Sequence, residues 1–211
     1  MPRRSGLQVV VAALAGRAVA RVGGRAERAG GCVERLVGWA ERAGGSVAVA
    51  GVVVAFAACA GGESFEAGVL HKGDLTVRVG AVPSAWRPVH IDGADLAWRD
   101  DPRGGSALFD VRCSGKDDDA PLSVLTEHLI MGTTERDFTS EDTIPFDGRE
   151  ARHTLMRAKL DGVPMYYDIY VMKKDGCVYD LVYVAPPAEF TAGAAAFDGF
   201  ARGLHGSSSA P

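Results

Sequence analysis

Few side chains in this sequence have the type and spacing that catalysis would need. The five histidines stand far apart from one another and from the four cysteines, whereas metal sites join such ligands at short, regular spacings. They are His71, His90, His128, His153 and His205. We therefore expect them to form ordinary hydrogen bonds on the surface or in the core. A cleft that gathered two of His71, His90 and His153 with a carboxylate would instead indicate an enzyme.

Asp117, Asp118 and Asp119 form a run of acidic residues that could attract a cation. The run lacks the alternating ligands and the closing glutamate of a calcium loop, and acidic residues are favourable near the start of a helix in any case. The sequence contains no serine in a nucleophile elbow and no glycine-rich loop that would hold a phosphate. It therefore predicts no catalytic residue, no metal ligand and no cofactor.

Aromatic side chains are the other group that could form a site. Five tyrosines lie between residues 166 and 183, and we expect most of them to pack in the core with their hydroxyl groups in water. The alternative is that one face of aromatic residues lines a surface for a ligand or a partner. The candidates for that surface are Trp86, Trp98, Tyr167 and Tyr170.

An apolar stretch at residues 46–58 separates two unlike halves of the chain. Arg42 precedes it, the stretch itself carries no charge, and small residues follow, which is the layout of a secretory signal. A membrane-spanning helix needs about 20 apolar residues, so that alternative requires Gly44 and Gly45 to join the stretch. A buried core helix is disfavoured, because the stretch is apolar all round and a pair of glycines follows it.

The end of this stretch, Phe56-Ala57-Ala58-Cys59, resembles the lipobox of bacterial lipoproteins, in which small residues precede an invariant cysteine. Phe56 stands where that family usually has leucine. The resemblance implies that Cys59 is acylated, becomes the first residue of the mature protein and attaches it to a membrane. Because Ala60 is not the aspartate that retains some lipoproteins in the inner membrane, the resemblance favours the outer membrane of the cell envelope.

The leader before Cys59 is long for a lipoprotein signal, and two explanations stay open. Translation could start downstream of the first methionine, at Val33 or Val37. Alternatively, Arg3-Arg4 opens a twin-arginine signal, although Arg17 interrupts the apolar core that such a signal needs.

The predicted organisation has four parts. They are a leader at 1–58, a tether at 59–68, a single α+β domain at 69–205 and a disordered tail at 206–211. Residues 59–211 keep 15 of the 23 Lys and Arg residues and 24 of the 27 Asp and Glu residues, a net charge of −9. So acidic a chain is not expected to bind nucleic acid, and its affinity for a membrane has to come from the lipid anchor.

Two cysteines remain for the folded domain if Cys32 belongs to the leader and Cys59 carries lipid. An oxidising compartment favours a disulfide between these two, Cys113 and Cys177. The alternative is a pair of separate buried thiols, because free cysteine packs as a small hydrophobic residue.

The domain is predicted to be an antiparallel β-sheet meander flanked by two helices, a sandwich of the α+β class. Asp-Gly turns at Asp147, Asp161 and Asp175 separate four strand-like runs, and Asp-Gly between such runs is a strong hairpin signal. The last run is apolar on both faces, so it is expected to be central and covered on both sides.

Earlier strands are expected at 69–71, 75–79, 94–99 and 106–113, with an irregular proline-rich segment at 83–88. Helices are expected at 121–131, capped by Asp119, and at 188–204.

This pattern resembles the PsbP-like and DcrB-like family of small sandwiches. The features that carry the resemblance are the run VPSAW at 82–86, a helix after the early strands, a meander that ends in DLVYVA at 180–185, and a terminal helix with Phe197 and Phe200. The resemblance implies a fold and an accessory role in an envelope or membrane complex. It implies no catalytic residue.

The sequence thus favours a lipid-anchored, periplasm-facing domain that binds or supports another envelope protein. The first alternative is a carrier of a small ligand or lipid, with a pocket between sheet and helix beside Trp86 or Trp98. An enzyme comes third, because no titratable pair is placed for acid–base chemistry by any spacing in the sequence.

Overall fold

The computed structural model describes residues 63–113 and 119–208, which form two antiparallel sheets and two helices. The predicted α+β sandwich is confirmed. The leader, Cys59, most of the predicted tether, Asp117 and Asp118, and residues 209–211 lie outside the described residues.

A small sheet of four short strands contains both ends of the described chain. In spatial order these strands are β1 (Ser64–Glu66), β2 (Val69–Lys72), β3 (Leu75–Arg78) and β11 (His205–Ser208). The strands from β1 to β3 follow one another through tight turns, whereas β11 returns from the far end of the chain to pair with β3.

The large sheet has seven antiparallel strands. In spatial order they are β4 (Trp86–Val89), β5 (Leu96–Asp100), β6 (Gly105–Cys113), β10 (Cys177–Ala185), β9 (Val163–Lys174), β8 (Arg149–Leu160) and β7 (Thr133–Phe146). A short 3₁₀ turn at Asp101–Arg103 joins β5 to β6. The strands from β7 to β10 form the predicted meander. Strand β7 begins at Thr133, ten residues before Thr143, where the sequence predicts the first run of the meander.

The three Asp-Gly turns of the meander have the geometry that the sequence predicts. Both central residues of each turn have positive φ, for example 45° at Asp147 and 73° at Gly148. This is the pattern of type I′ turns, whose twist matches that of the strands they connect. Local turn chemistry therefore sets the register next to each turn, whereas two shifts in β7, between Thr134 and Asp137 and between Phe138 and Ser140, change it farther along the strand.

Helix α1 (Leu122–Leu129) lies between β6 and β7, and helix α2 (Phe190–Arg202) lies between β10 and β11. The predicted cap of α1 by Asp119 is wrong, because the N-cap position belongs to Pro121 and no side chain caps the helix. Side-chain capping comes from the N-cap residue itself, and proline has no group that can supply it.

All nine residues of β10 are buried, so this strand is central, as predicted. Tyr179 and Tyr183 face a core that includes α2 and the small sheet. Val178 and Val182, which point the other way, face a second core that includes α1. The small sheet and α2 therefore lie on one face of the large sheet, and α1 lies on the other.

Three short strands occupy segments for which the sequence predicts no regular structure. The assignments of 64–66 to a tether, of 206–208 to a tail and of 86–88 to an irregular segment are wrong. Strand β4 lies at a sheet edge, where the missing N–H of Pro88 is tolerated. In β11 a Cβ on Gly206 would lie 2.5 Å from the hydroxyl of Tyr179, so only glycine allows this close approach.

Candidate functional site

The aromatic residues predicted as a ligand or partner surface do not form one. Trp86, Trp98, Tyr167 and Tyr170 are all buried, at 5%, 3%, 0% and 0% exposure. Three of them belong to the core beside α2, and Tyr167 belongs to the core beside α1. The prediction of a shared surface is wrong, because both faces of the central strands are covered.

Four of the five tyrosines, all except Tyr166, are buried as well, although water was expected around their hydroxyl groups. Tyr170 donates to Asp198 Oδ1 at 2.7 Å, and Tyr183 donates to Asp100 Oδ2 at 3.0 Å. Burial and these carboxylates raise the pKa of both phenols. Burial, with a smaller contribution from Asp161, raises the pKa of Tyr167 to about 12. These four tyrosines are core residues with internal hydrogen bonds or buried hydroxyls.

Cys113 and Cys177 form a disulfide in the structure. They lie directly opposite each other in β6 and β10, with their Cα atoms 4.0 Å apart. The bond links residues that are 64 apart in sequence and joins the two central strands near their ends.

Three of the five large apolar side chains that are exposed among the described residues lie in α1, just after it or at the start of β9. Val124 in α1 is 40% exposed, Met131, which follows the helix, is 46% exposed, and Val163 is 46% exposed. Leu160 of β8 pairs with Val163 on one side and with Thr133 on the other. Thr133 is two residues after Met131. We call Val124, Met131 and Val163 the α1 patch. Exposed apolar groups with a polar rim are typical of interaction surfaces.

Arg136 holds the end of α1 against the sheet beside this patch. Its guanidinium donates to Ile130 O at 2.8 Å, to Thr133 Oγ1 at 2.9 Å and to Glu127 Oε2 at 3.0 Å. Strand β7 shifts register around Arg136, and the preceding Glu135 has a φ of 50°. A cation at the carboxyl end of a helix is stabilising. The irregularity in β7 thus orders the surface that carries the patch.

A second polar group connects the meander to α2. His153 Nε2 lies 2.8 Å from Asp168 Oδ1, and the imidazole ring stacks on Tyr170 with centroids 4.2 Å apart. Burial raises the pKa of Asp168, while His153 opposes the shift. A histidine oriented by a carboxylate can act as a general base. Here the described contacts of the pair join β8 to β9 and, through Tyr170 and Asp198, to α2.

The third polar group lies on the α1 side of the two central strands. Asp110 and Asp180 are directly opposite each other, and Arg112 reaches both, at 3.2 Å and 2.5 Å. Burial, then the charges of Asp95 and Asp180, raises the pKa of Asp110 to about 7, because Arg112 and Lys72 offset only part of this effect. This carboxyl group therefore changes its protonation near neutral pH.

Lys72 ties the small sheet to the large one beside that cluster. Its Nζ atom donates to Asp95 Oδ1 at 2.5 Å and to Val111 O at 2.9 Å, while the Val111 N–H donates to Asp95 Oδ2 at 2.8 Å. Burial lowers the pKa of Lys72, but the hydrogen bond and charge of Asp95 outweigh it, so the net direction is upward.

Three of the other four histidines have the ordinary surface contacts that were expected. His71 Nδ1 lies 3.4 Å from Thr76 Oγ1, His90 Nε2 lies 3.3 Å from Asp92, and His205 Nδ1 lies 2.8 Å from Asp147. The cleft that would indicate an enzyme, with two of His71, His90 and His153, is not formed by the contacts of the described residues. Within 63–113 and 119–208, no three His, Cys, Asp or Glu side chains are arranged to hold a metal.

No protein-family model matches the sequence, and no curated protein is similar to it. Solved structures are similar in fold. The solution structure of cyanobacterial PsbP from Synechocystis is 13% identical with a TM-score of 0.49, and the match covers 63% of this chain and 86% of that one.

Two further neighbours come from other organisms. LpqN, a protein involved in cell envelope biogenesis of Mycobacterium tuberculosis, is 14% identical with a TM-score of 0.47, and the match covers 66% of this chain and 89% of that one. The Ran-binding protein Mog1p of Saccharomyces cerevisiae is 15% identical with a TM-score of 0.45, over 63% of this chain and 90% of that one.

Neither helix in the described part of the chain is both long and apolar enough to cross a bilayer.

Sequence reasoning missed the α1 patch and the buried Asp110 cluster. The register of β7 could not be read from the sequence, so nothing placed Met131 next to Val163. The alternation of β10 does put Asp180 on the same face as Val178 and Val182, but an aspartate in such a run gives no sign of its partner across the sheet.

Proposed function

We propose that this chain is a lipid-anchored accessory protein of the bacterial cell envelope. Acylated Cys59 attaches it to a membrane, and its folded domain binds a second envelope protein through the α1 patch. The observation that carries the proposal is the Cys113–Cys177 disulfide, since such bonds persist in oxidising compartments outside the cytoplasm.

The α1 patch supports the choice of a protein partner. Val124 and Met131 expose apolar groups in α1 and just after it, and Val163 exposes another at the start of β9. Arg136 holds the carboxyl end of the helix in place. The charged rim of Glu127 and Arg136 matches the usual anatomy of a transient interface. A partner that buries this patch would gain from apolar contact without ordering the surface first.

The packing beside α2 argues against the carrier alternative. Trp86 and Trp98 were the residues expected beside a pocket, and both contact Phe200 of α2, with ring centroids 5.5 Å and 5.2 Å apart. The tryptophans therefore fill the space between sheet and helix in which the pocket was expected.

Membrane fractionation tests the anchor. The wild-type chain should sediment with membranes and need detergent for release, whereas Cys59→Ser should appear in the soluble fraction. Cys32→Ser is the matched control, because it removes a cysteine that we assign to the leader, and it should behave as wild type. Release of the wild-type chain without detergent, or retention of Cys59→Ser, would contradict the proposal.

Site-specific photocrosslinking in cells tests the partner surface. A crosslinker in place of Met131 should give one dominant product with an envelope protein. The same crosslinker in place of Glu150, an exposed residue of β8 outside the patch, should give little of that product. Equal yield of that product at both positions would show that the α1 patch is not the binding surface.

A further inference from the structure

The outer face of the small sheet belongs to the part of the described chain that follows the proposed anchor at Cys59 most closely in sequence. Residues of this face alternate with Leu70 and Val77, which are buried against the large sheet. One row across the four strands is Ser64, His71, Thr76 and Ser207, and the next row is Glu66, Val69, Arg78 and His205. The face is therefore rich in hydroxyl and imidazole groups.

The distance along the chain from the anchor to this sheet is short. Ser64, the first residue of β1, is five residues after Cys59. Because an extended chain spans at most about 3.6 Å per residue, Ser64 lies within roughly 18 Å of the acylated cysteine. The chain enters the sheet in the row that contains His71 and Ser207, so this row is kept near the lipid headgroups.

The face lacks the net negative charge of the rest of the chain. Residues 59–211 carry a net charge of −9, whereas the formal charges of these two rows, on Glu66 and Arg78, cancel. Arg78 is exposed and has no ion pair within the described residues. His205 Nδ1 lies 2.8 Å from Asp147 Oδ1. Guanidinium, imidazole and hydroxyl groups are the side chains that donate hydrogen bonds to phosphate oxygens.

We propose that the outer face of the small sheet lies against the phosphate groups of the membrane that holds the acyl chains of Cys59, with Arg78 as its main cationic contact. The inference rests on the proposed lipid anchor and adds an orientation to it. Because the small sheet and α1 lie on opposite faces of the large sheet, the α1 patch points away from the membrane and stays open to a partner.

Fluorescence quenching in vesicles tests this orientation. The mature acylated chain, which begins at Cys59, is reconstituted into vesicles of equal parts phosphatidylethanolamine and phosphatidylglycerol that carry a headgroup quencher. A fluorophore is attached to Ser207→Cys in one sample and to Met131→Cys in another. In the acylated, disulfide-bonded protein the added cysteine is the only free thiol. Quenching should be several-fold stronger at position 207 than at position 131.

A charge reversal sharpens the test. Arg78→Glu should reduce quenching at position 207 several-fold, and added salt should reduce it in the wild-type background. Arg157→Glu, which changes an exposed arginine of β8 outside the small sheet, is the control and should leave the quenching unchanged.

The outcomes separate the orientation from the anchor. Equal quenching at the two positions, stronger quenching at position 131, or no quenching at either in protein that floats with the vesicles would overturn the orientation and leave the anchor intact. Failure of the acyl group to appear, with protein that does not float, would overturn the proposed anchor and the orientation with it.

Discussion

The two faces of the seven-stranded sheet are filled in different ways. On the α2 side, stacked aromatic rings fill the space, and Tyr183 lies 6.1 Å from Trp86 and 5.7 Å from Phe197 by ring centroid. On the α1 side, aliphatic side chains adjoin a buried ionic cluster around Asp110 and Asp180. The first face gains its stability from apolar burial, whereas the second also contains charges whose removal from water has a cost.

The two sides of the large sheet also differ in what covers them on the outside. The α2 side carries the small sheet on its outside, and that sheet is tied down through Lys72 and Asp147. The α1 side ends in an apolar surface with nothing packed on it among the described residues. The proposed membrane contact lies on the first side, and the proposed partner surface lies on the second.

The largest expected effect is on the aromatic side. Phe197→Ala removes a fully buried ring that contacts Tyr170, Tyr183 and Phe200, so it should lower the free energy of unfolding by about 3–5 kcal/mol. Val124→Ala in the α1 patch should change the same quantity by less than about 0.5 kcal/mol. Urea unfolding of both variants measures the two losses in the free energy of unfolding. Equal losses would contradict the expected difference between the aromatic core and the α1 patch.

The disulfide should stabilise the packing on both faces of the large sheet, since it joins the two central strands. Replacing Cys113 and Cys177 together by serine should destabilise the domain by about 2–5 kcal/mol, because the unfolded chain gains freedom. Reduction of the wild-type protein should have a similar effect and leave the double variant unchanged. A reduced wild-type protein as stable as the oxidised one would contradict this role.

The charged cluster should make stability depend on pH. The folded protein holds a proton on Asp110 up to a pKa of about 7, whereas the usual value is 3.8. The stability that this proton contributes is fully present below pH 3.8 and is lost as pH rises through about 7, a decrease on the order of 4 kcal/mol.

Unfolding measured from pH 4 to pH 8 tests this effect with Asp110→Asn as the comparison. The amide stays neutral, so the variant should lack the loss of stability at rising pH. An identical pH profile in wild type and variant would show that Asp110 does not carry the dependence.

The smallest effect concerns the link between the meander and α2. Tyr170→Phe removes the hydrogen bond to Asp198, which keeps its contact with Arg202, so the expected loss is about 0.5–1.5 kcal/mol. Tyr166→Phe changes a partly exposed tyrosine of the same strand and should cost less. A larger loss for Tyr166→Phe would mean that the link through Tyr170 contributes little.

Much of the fold could be predicted from local signals. The turns at Asp147, Asp161 and Asp175 and the apolar pattern of β10 specify the meander, because Asp-Gly adopts type I′ turns and a strand that is apolar on both faces must be central. Strands β1, β4 and β11 could not be predicted, since each has three or four residues and is held by its neighbours rather than by its own pattern.

The surfaces could not be predicted in the same way. Trp86 and Trp98 looked like members of an exposed aromatic face, but exposure depends on what α2 and the small sheet cover, and those contacts are distant in sequence. Arg136 is an unremarkable residue until the register shift in β7 places it at the end of α1. Long-range packing decides which side chains remain available to a partner.

The intact mass of the protein extracted from membranes, measured without reductant and again after reduction, tests the central claim most directly. We predict a chain that starts at acylated Cys59 and gains the mass of two hydrogen atoms on reduction, as one disulfide requires. An unacylated chain that keeps residues before Ser46, or a mass that reduction leaves unchanged, would contradict an exported, lipid-anchored and disulfide-bonded domain.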